Sequence, residues 1–259
     1  MVQVIYEITW ACPCRCPFCK IPKDSYVVPT TEYERVLRLF KEYFRSDLAV
    51  VISGGEPSIV PNLKDYVGIA RRLGYEVTVV TNAYNAGNVL RSNPDLIEVS
   101  IDYFGESHDI LRGVKGLFSR AMGLVARAYM MGIPVVIRST AMRDNIDDIL
   151  KMREQLDGNG LSEVPILVMP VRGAPNLKPT KDQLSILERE GIYISNNCPA
   201  GISSFVVTPK REVLPCIFFR EILGKFREFT IDELESIIEK GRKIPRYPCE
   251  IQILLEEKT

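Results

Sequence analysis

The alternation of two hydrophobic periods most constrains what this chain can fold into. Short β-branched runs at Val2–Thr9, Leu48–Ile52, Val77–Val80, Leu96–Ile101, Val135–Ser139 and Val164–Met169 read as buried parallel strands. Between them, Thr31–Phe44, Leu63–Leu73, Leu117–Met131, Ile146–Leu156 and Lys181–Glu190 carry helical spacing, and in the first of these Val36, Leu37, Phe40 and Phe44 share a face. Asn62 and Asn145 stand where N-caps belong, and Gly74 and Gly132 where C-terminal caps belong. Strand–helix alternation implies βαβ units with right-handed crossovers. Six such units are too few for an eight-fold barrel, which leaves a partial barrel or an open doubly wound sheet. In both, ligands bind at the carboxyl ends of the strands.

The pattern changes after residue 192. Ser203–Thr208 and Glu212–Pro215 read as a hairpin around Pro209-Lys210-Arg211, and Thr230–Gly241 as a helix with Asp232 and Glu233 in its first turn. The 259 residues are enough for one sizeable core and a small appendage. The expected division is 1–192 for the α/β core and 193–259 for the appendage.

Lys+Arg and Asp+Glu both number 33, which points away from a nucleic-acid partner. No apolar run reaches the roughly 18 residues of a membrane span, and Glu7 interrupts the only apolar stretch near the N-terminus. The expectation is a cytoplasmic chain without a membrane partner. Seven cysteines in a reducing compartment then point to metal or catalysis, and the odd count fits a disulfide framework poorly.

Cys12, Cys16 and Cys19, with Cys14 between them, follow directly on the first strand, so they lie in a loop at the ligand-binding mouth. Thiolates at this spacing can converge on an iron–sulfur cluster, and three of them leave one iron of a cubane open. A zinc site is the competing reading; it needs a fourth ligand, for which Cys14 and His108, the only histidine, are the candidates. Ser53-Gly54-Gly55-Glu56-Pro57 follows the second strand. Its glycines permit close backbone approach and free N–H groups, and Glu56 adds a carboxylate for a cationic group.

Together these motifs resemble the radical S-adenosylmethionine (SAM) superfamily. Thr81-Asn82-Ala83 is similar to that family's TNG, Ser100-Ile101-Asp102 to its S-x-D, and Met169-Pro170 to the end of its sixth strand. The resemblance implies a partial (β/α)6 TIM barrel. It implies that Cys12, Cys16 and Cys19 hold a 4Fe-4S cluster whose free iron chelates SAM. One-electron reduction then cleaves SAM to methionine and a 5′-deoxyadenosyl radical that abstracts a hydrogen atom. Phe18 and Met169 are implied near the adenine, Gly54, Gly55 and Glu56 at the methionine amino group, Ser100 at the polar groups of SAM and Asp102 at the ribose. An electron donor of ferredoxin or flavodoxin type is implied as well. Two departures stand out: Pro13 replaces the asparagine that often follows the first cysteine, and Ala83 replaces the glycine of TNG. Cys14 is extra and reads as a buried or idle thiol.

Cys198, Cys216 and Cys249, with the hairpin between the first two, resemble the SPASM and shorter twitch modules, which carry auxiliary iron–sulfur clusters. His108-Asp-Ile-Leu-Arg-Gly113 matches a loop of that subgroup. The closing CxxC has one cysteine here, and Arg211 stands where the hairpin glycine is expected. Three buried structural cysteines are the alternative.

The leading expectation is therefore a radical SAM oxidoreductase acting on a small molecule, with no separate leader-peptide domain in view. A peptide-modifying maturase is the second reading, and a non-enzymatic iron–sulfur or zinc scaffold or electron carrier the third. Glu7, Arg138 and Arg172 fall on or near strand ends, and any of them that turns inward requires a partner or a ligand.

Overall fold

A computed structural model describes residues 1–172, 175–195 and 199–243. Ten strands form one sheet. Strand β1 (Val2–Thr9) leads through the cysteine loop to helix α1 (Thr30–Phe44); β2 (Leu48–Gly54) leads through a 3-10 turn to α2 (Leu63–Arg72). β3 (Glu76–Thr81), α3 (Ala86–Ser92), β4 (Leu96–Ser100), α4 (Glu106–Arg112), α5 (Leu117–Met130), β5 (Val135–Ala141), α6 (Ile146–Gly158) and β6 (Ile166–Pro170) follow. The order β1-β2-β3-β4-β5-β6 never reverses and every neighbouring pair in it is parallel. A doubly wound sheet requires a reversal, so the two architectures left open are resolved in favour of the partial (β/α)6 TIM barrel.

The burial pattern follows from that curvature. On β4, β5 and β6 the positions beneath the helices are buried, while the alternate ones, including Ser100, Arg138, Thr140 and Met169, are half-buried along the open interior. On α1, Val36, Leu37 and Phe40 are fully buried and Phe44 packs partly covered beside Phe205. Each such side chain contributes about 1.5–3 kcal/mol. Gly74 and Gly132 take left-handed backbone after α2 and α5 and satisfy the last carbonyls there. Asn62 and Asn145 occupy N-cap positions, but neither side chain caps its helix. Asn145 instead accepts from the Met142 N–H and donates to the Asp102 and Thr140 carbonyls.

Helix α7 (Lys181–Arg189) precedes β7 (Tyr193–Ile194), which pairs parallel with β6. The expected hairpin is formed by β8 (Ser204–Val207) and β9 (Glu212–Leu214), followed by β10 (Gly224–Lys225) and α8 (Ile231–Lys243). β8 pairs parallel with β1, so the last strands extend the barrel sheet from its first edge. Arg211, in place of the expected glycine, holds a positive φ of 65° while its guanidinium pairs with Glu32 at 2.7 Å. Among the described residues no helix is long and apolar enough to cross a membrane.

Candidate active site

The loop after β1 is stapled to the turn after β2. Gly55 N–H donates to the Thr9 carbonyl at 2.7 Å and Glu56 N–H to that of Ala11 at 2.9 Å. These N–H groups, expected to be free, are consumed in holding the cysteine loop. The glycines make that contact possible: a Cβ on Gly54 would lie 2.1 Å from the Thr9 carbonyl oxygen, and one on Gly55 2.2 Å from that of Ala11. On the other side, Arg15 N–H donates to the Arg112 carbonyl at the end of α4.

Cys12, Cys14, Cys16 and Cys19 all line one cavity of about 210 Å3 at the carboxyl ends of the strands. Cys14 is buried and the other three are partly or fully accessible. The Cys14 thiol hydrogen-bonds to Cys12 and Cys16 and lowers each to about 7, a shift assisted by Lys23 at both and by Arg112 at Cys16. Cys14 itself is pushed far up by the same contacts and by burial. Asn82 Nδ2 donates to Cys14 Sγ at 3.1 Å.

Among the described residues no three His, Cys, Asp or Glu side chains converge as they do around a single ion. The zinc reading therefore finds no support in Cys14. Nor does it in His108, whose Nδ1 accepts the Asp102 N–H at 3.2 Å from within α4. A cluster holds its thiolates farther apart than an ion does. Cys12 and Cys16, both lowered toward the thiolate range, share one cavity wall with Cys19 and Lys23, and such a set of thiols fits a cluster.

The rest of the lining comes from the other strand ends. Phe18, Gly54, Gly55, Glu56, Ser100, Asp102 and Met169 all border this cavity. Glu56 is buried, and burial pushes its carboxyl up against the opposing pull of its donors, the Thr81 hydroxyl and the N–H groups of Asn82 and Ser58. Asp102 is also buried; Arg112 bridges its Oδ2 at 2.6 Å, and the Thr140 N–H donates to its Oδ1 at 2.9 Å. Ala83, in place of the family glycine, is left-handed at φ 65°.

The inward charges mostly have partners. Arg138 meets Glu98 at 2.6 Å, and Glu7 meets Arg220 at 2.7 Å while accepting from Trp10 Nε1. Arg172 lines the cavity and stacks on Phe218. Ile217 and Phe218, which sequence reasoning missed, also line it; the adjoining Cys216 was their only signal. Cys216 lies in the loop after β9, with the Phe218 N–H on its sulfur at 3.4 Å. Cys198 and Cys249 lie outside the described residues.

With a cysteine loop and a GGEP turn joined at the mouth of a six-strand barrel, the comparison with known families is direct. The Radical SAM superfamily profile matches residues 6–156, and the chain belongs to that family. Among solved structures, Streptococcus suis SuiB bound to S-adenosylmethionine is 16% identical with a TM-score of 0.71; the match covers 89% of this chain and 64% of SuiB. This chain thus spans less than two thirds of SuiB. The anSMEcpe structure with bound AdoMet is 14% identical with a TM-score of 0.74, covering 94% of this chain and 82% of that one. BtrN in complex with AdoMet and 2-DOIA is 14% identical with a TM-score of 0.52, covering 93% and 84%. At these identities the likeness is one of fold.

Proposed function

We propose that the chain is a radical SAM oxidoreductase that cleaves S-adenosylmethionine reductively and abstracts a hydrogen atom from a small-molecule substrate. The observation that carries this reading is the common lining. The thiols, the GGEP turn and the ends of β4 and β6 border one cavity. In this reading Cys12, Cys16 and Cys19 hold a 4Fe-4S cluster, and Phe18, Gly54, Gly55, Glu56, Ser100, Asp102 and Met169 hold SAM. The cluster and SAM, when bound, supply a 5′-deoxyadenosyl radical.

The chain's own part is to bind, orient and shield. The Glu56 carboxylate has about four acceptor sites. Three are taken by its own chain's donors, which fix its direction and leave one for an ammonium group. Asp102, held by Arg112 and the Thr140 N–H, fixes the rim beside Ser100. Phe18, Ile217 and Phe218 cover the cavity with apolar surface, which keeps water from a reactive intermediate.

Residues 193–259 are proposed as a twitch-like module in which Cys198, Cys216 and Cys249 hold an auxiliary iron–sulfur cluster. A ferredoxin or flavodoxin-type protein is the proposed reductant. A peptide-modifying role is the second reading, because SuiB is solved bound to precursor peptide SuiA and anSMEcpe with the Cp18Cys peptide. The test is anaerobic reconstitution followed by iron and sulfide analysis, then dithionite and SAM. About eight iron per chain with 5′-deoxyadenosine formed supports both clusters. Half that iron with deoxyadenosine formed removes the auxiliary one, and iron-loaded protein that never cleaves SAM defeats the proposal.

A further inference from the structure

Among the described residues, the arginines around the interior divide into three with carboxylate partners and one without. Arg112 pairs with Asp102 at 2.6 Å, Arg138 with Glu98 at 2.6 Å and Arg220 with Glu7 at 2.7 Å. Arg172 makes no ion pair among the described residues, and its Nε is buried with no acceptor. Its guanidinium carbon lies 4.8 Å over the Phe218 ring. Both side chains line the cavity that the thiols line.

The position of this stack is informative. Arg172 follows β6, near one edge of the curved sheet, and Phe218 follows β9, beyond the other. Their contact bridges the two sides of the barrel mouth.

A buried guanidinium nitrogen without an acceptor is unfavourable, and it is relieved by an incoming one. Stacking on an aromatic ring fixes the guanidinium plane and leaves its edge for a ligand. That edge matches the two oxygens of a carboxylate or a phosphate.

We infer that Arg172, seated over the Phe218 ring, anchors an anionic group of the substrate, a carboxylate or a phosphate. The inference rests on reading this cavity as the place where substrate meets SAM, and it narrows the substrate class to anions. The substrate enters between the two sides of the mouth, with its charged end at the β6 rim and its remainder directed toward the cysteine loop.

The test uses anaerobically reconstituted full-length protein, titrated calorimetrically with inorganic phosphate and separately with succinate, with and without SAM. Wild type binds at least one of the two saturably, and the tighter one names the group. Arg172→Gln weakens that binding by about tenfold or more, whereas Arg172→Lys, which keeps the charge and loses the fork, weakens it less. SAM affinity is unchanged in both variants. Equal anion binding by wild type and Arg172→Gln overturns the inference, as does wild type that binds neither anion. Loss of SAM binding in Arg172→Gln also overturns it, because the guanidinium then serves SAM. Should Arg172→Gln fail to fold, Arg172→Lys against wild type decides. Wild type that binds no SAM defeats the proposed function but leaves the anion comparison readable.

Discussion

Glu7 on β1 and Arg220 beyond β9 meet as a two-pronged pair, 2.7 Å and 3.0 Å apart, across 213 residues of sequence. Glu7 is fully buried, so Arg220 is what makes its charge tolerable there. The pair ties the segment after β9 to β1, two places away in the sheet, beside the cysteine loop. Arg220→Gln leaves that carboxylate unpaired and is expected to destabilise the fold by about 3 kcal/mol. Adding Glu7→Gln recovers part of this loss, since neither side chain is then charged. Urea unfolding followed by the emission of Trp10, the only tryptophan and a donor to Glu7, measures both. Strictly additive losses would show that the pair is not coupled.

Gly55→Ala tests the seat of the cysteine loop. Its Cβ would lie 2.2 Å from the Ala11 carbonyl oxygen and 2.5 Å from that of Trp10, and the Ala11 carbonyl is held in place by the Glu56 N–H. The expected loss is about 3 kcal/mol, with iron retained per chain falling alongside. Gly123→Ala is the control: it lies in α5, with nothing within 4 Å of the added carbon. It is expected to stabilise by about 0.5–1 kcal/mol without changing iron content.

The strands were legible because β-branched runs leave little else for them to be, and β1 runs over Val2–Thr9 as its pattern predicts. Helices α3 and α4, seven residues each, escaped because fewer than two full turns carry little periodicity. The pairing of β8 with β1 was not legible either, since no local pattern encodes an edge some two hundred residues away. At the site, residue types pointed to the cysteine loop and the GGEP turn, and both border the cavity. The partners were invisible: that Asp102 takes Arg112, that Glu7 takes Arg220 and that Arg172 meets Phe218 but no carboxylate among the described residues depend on tertiary geometry. Ala83 and Arg211 show the same limit. A left-handed backbone is easy to anticipate under glycine and hard to anticipate under alanine or arginine.

Ala83 follows from that observation. Its φ of 65° is unfavourable for any residue with a Cβ, by about 1–2 kcal/mol. Glycine removes that term but forfeits a buried methyl, worth about 0.8 kcal/mol. Ala83→Gly is therefore expected to stabilise the protein by up to about 1 kcal/mol, read as a higher urea midpoint at unchanged slope. A destabilised variant would mean that the methyl's packing outweighs the backbone strain.

His108 predicts a pH dependence. Burial lowers it from 6.5 to about 4, and its Nδ1 accepts the Asp102 N–H. The ring is thus neutral in the folded state, with its proton on Nε2. The unfolded chain takes up a proton first as pH falls, so this group's contribution is full above pH 6.5 and is lost as pH falls toward 4. A shift of this size corresponds to about 3 kcal/mol. His108→Asn offers an oxygen to the same N–H and does not titrate in this range. Wild type is expected to lose about 3 kcal/mol more than His108→Asn between pH 7 and pH 4, measured by urea unfolding at both. The subtraction removes the carboxylates, which titrate alike in the two proteins. Parallel losses would mean that His108 takes up its proton in the folded state as readily as in the unfolded one, and that the ring does not hold the Asp102 turn through Nδ1.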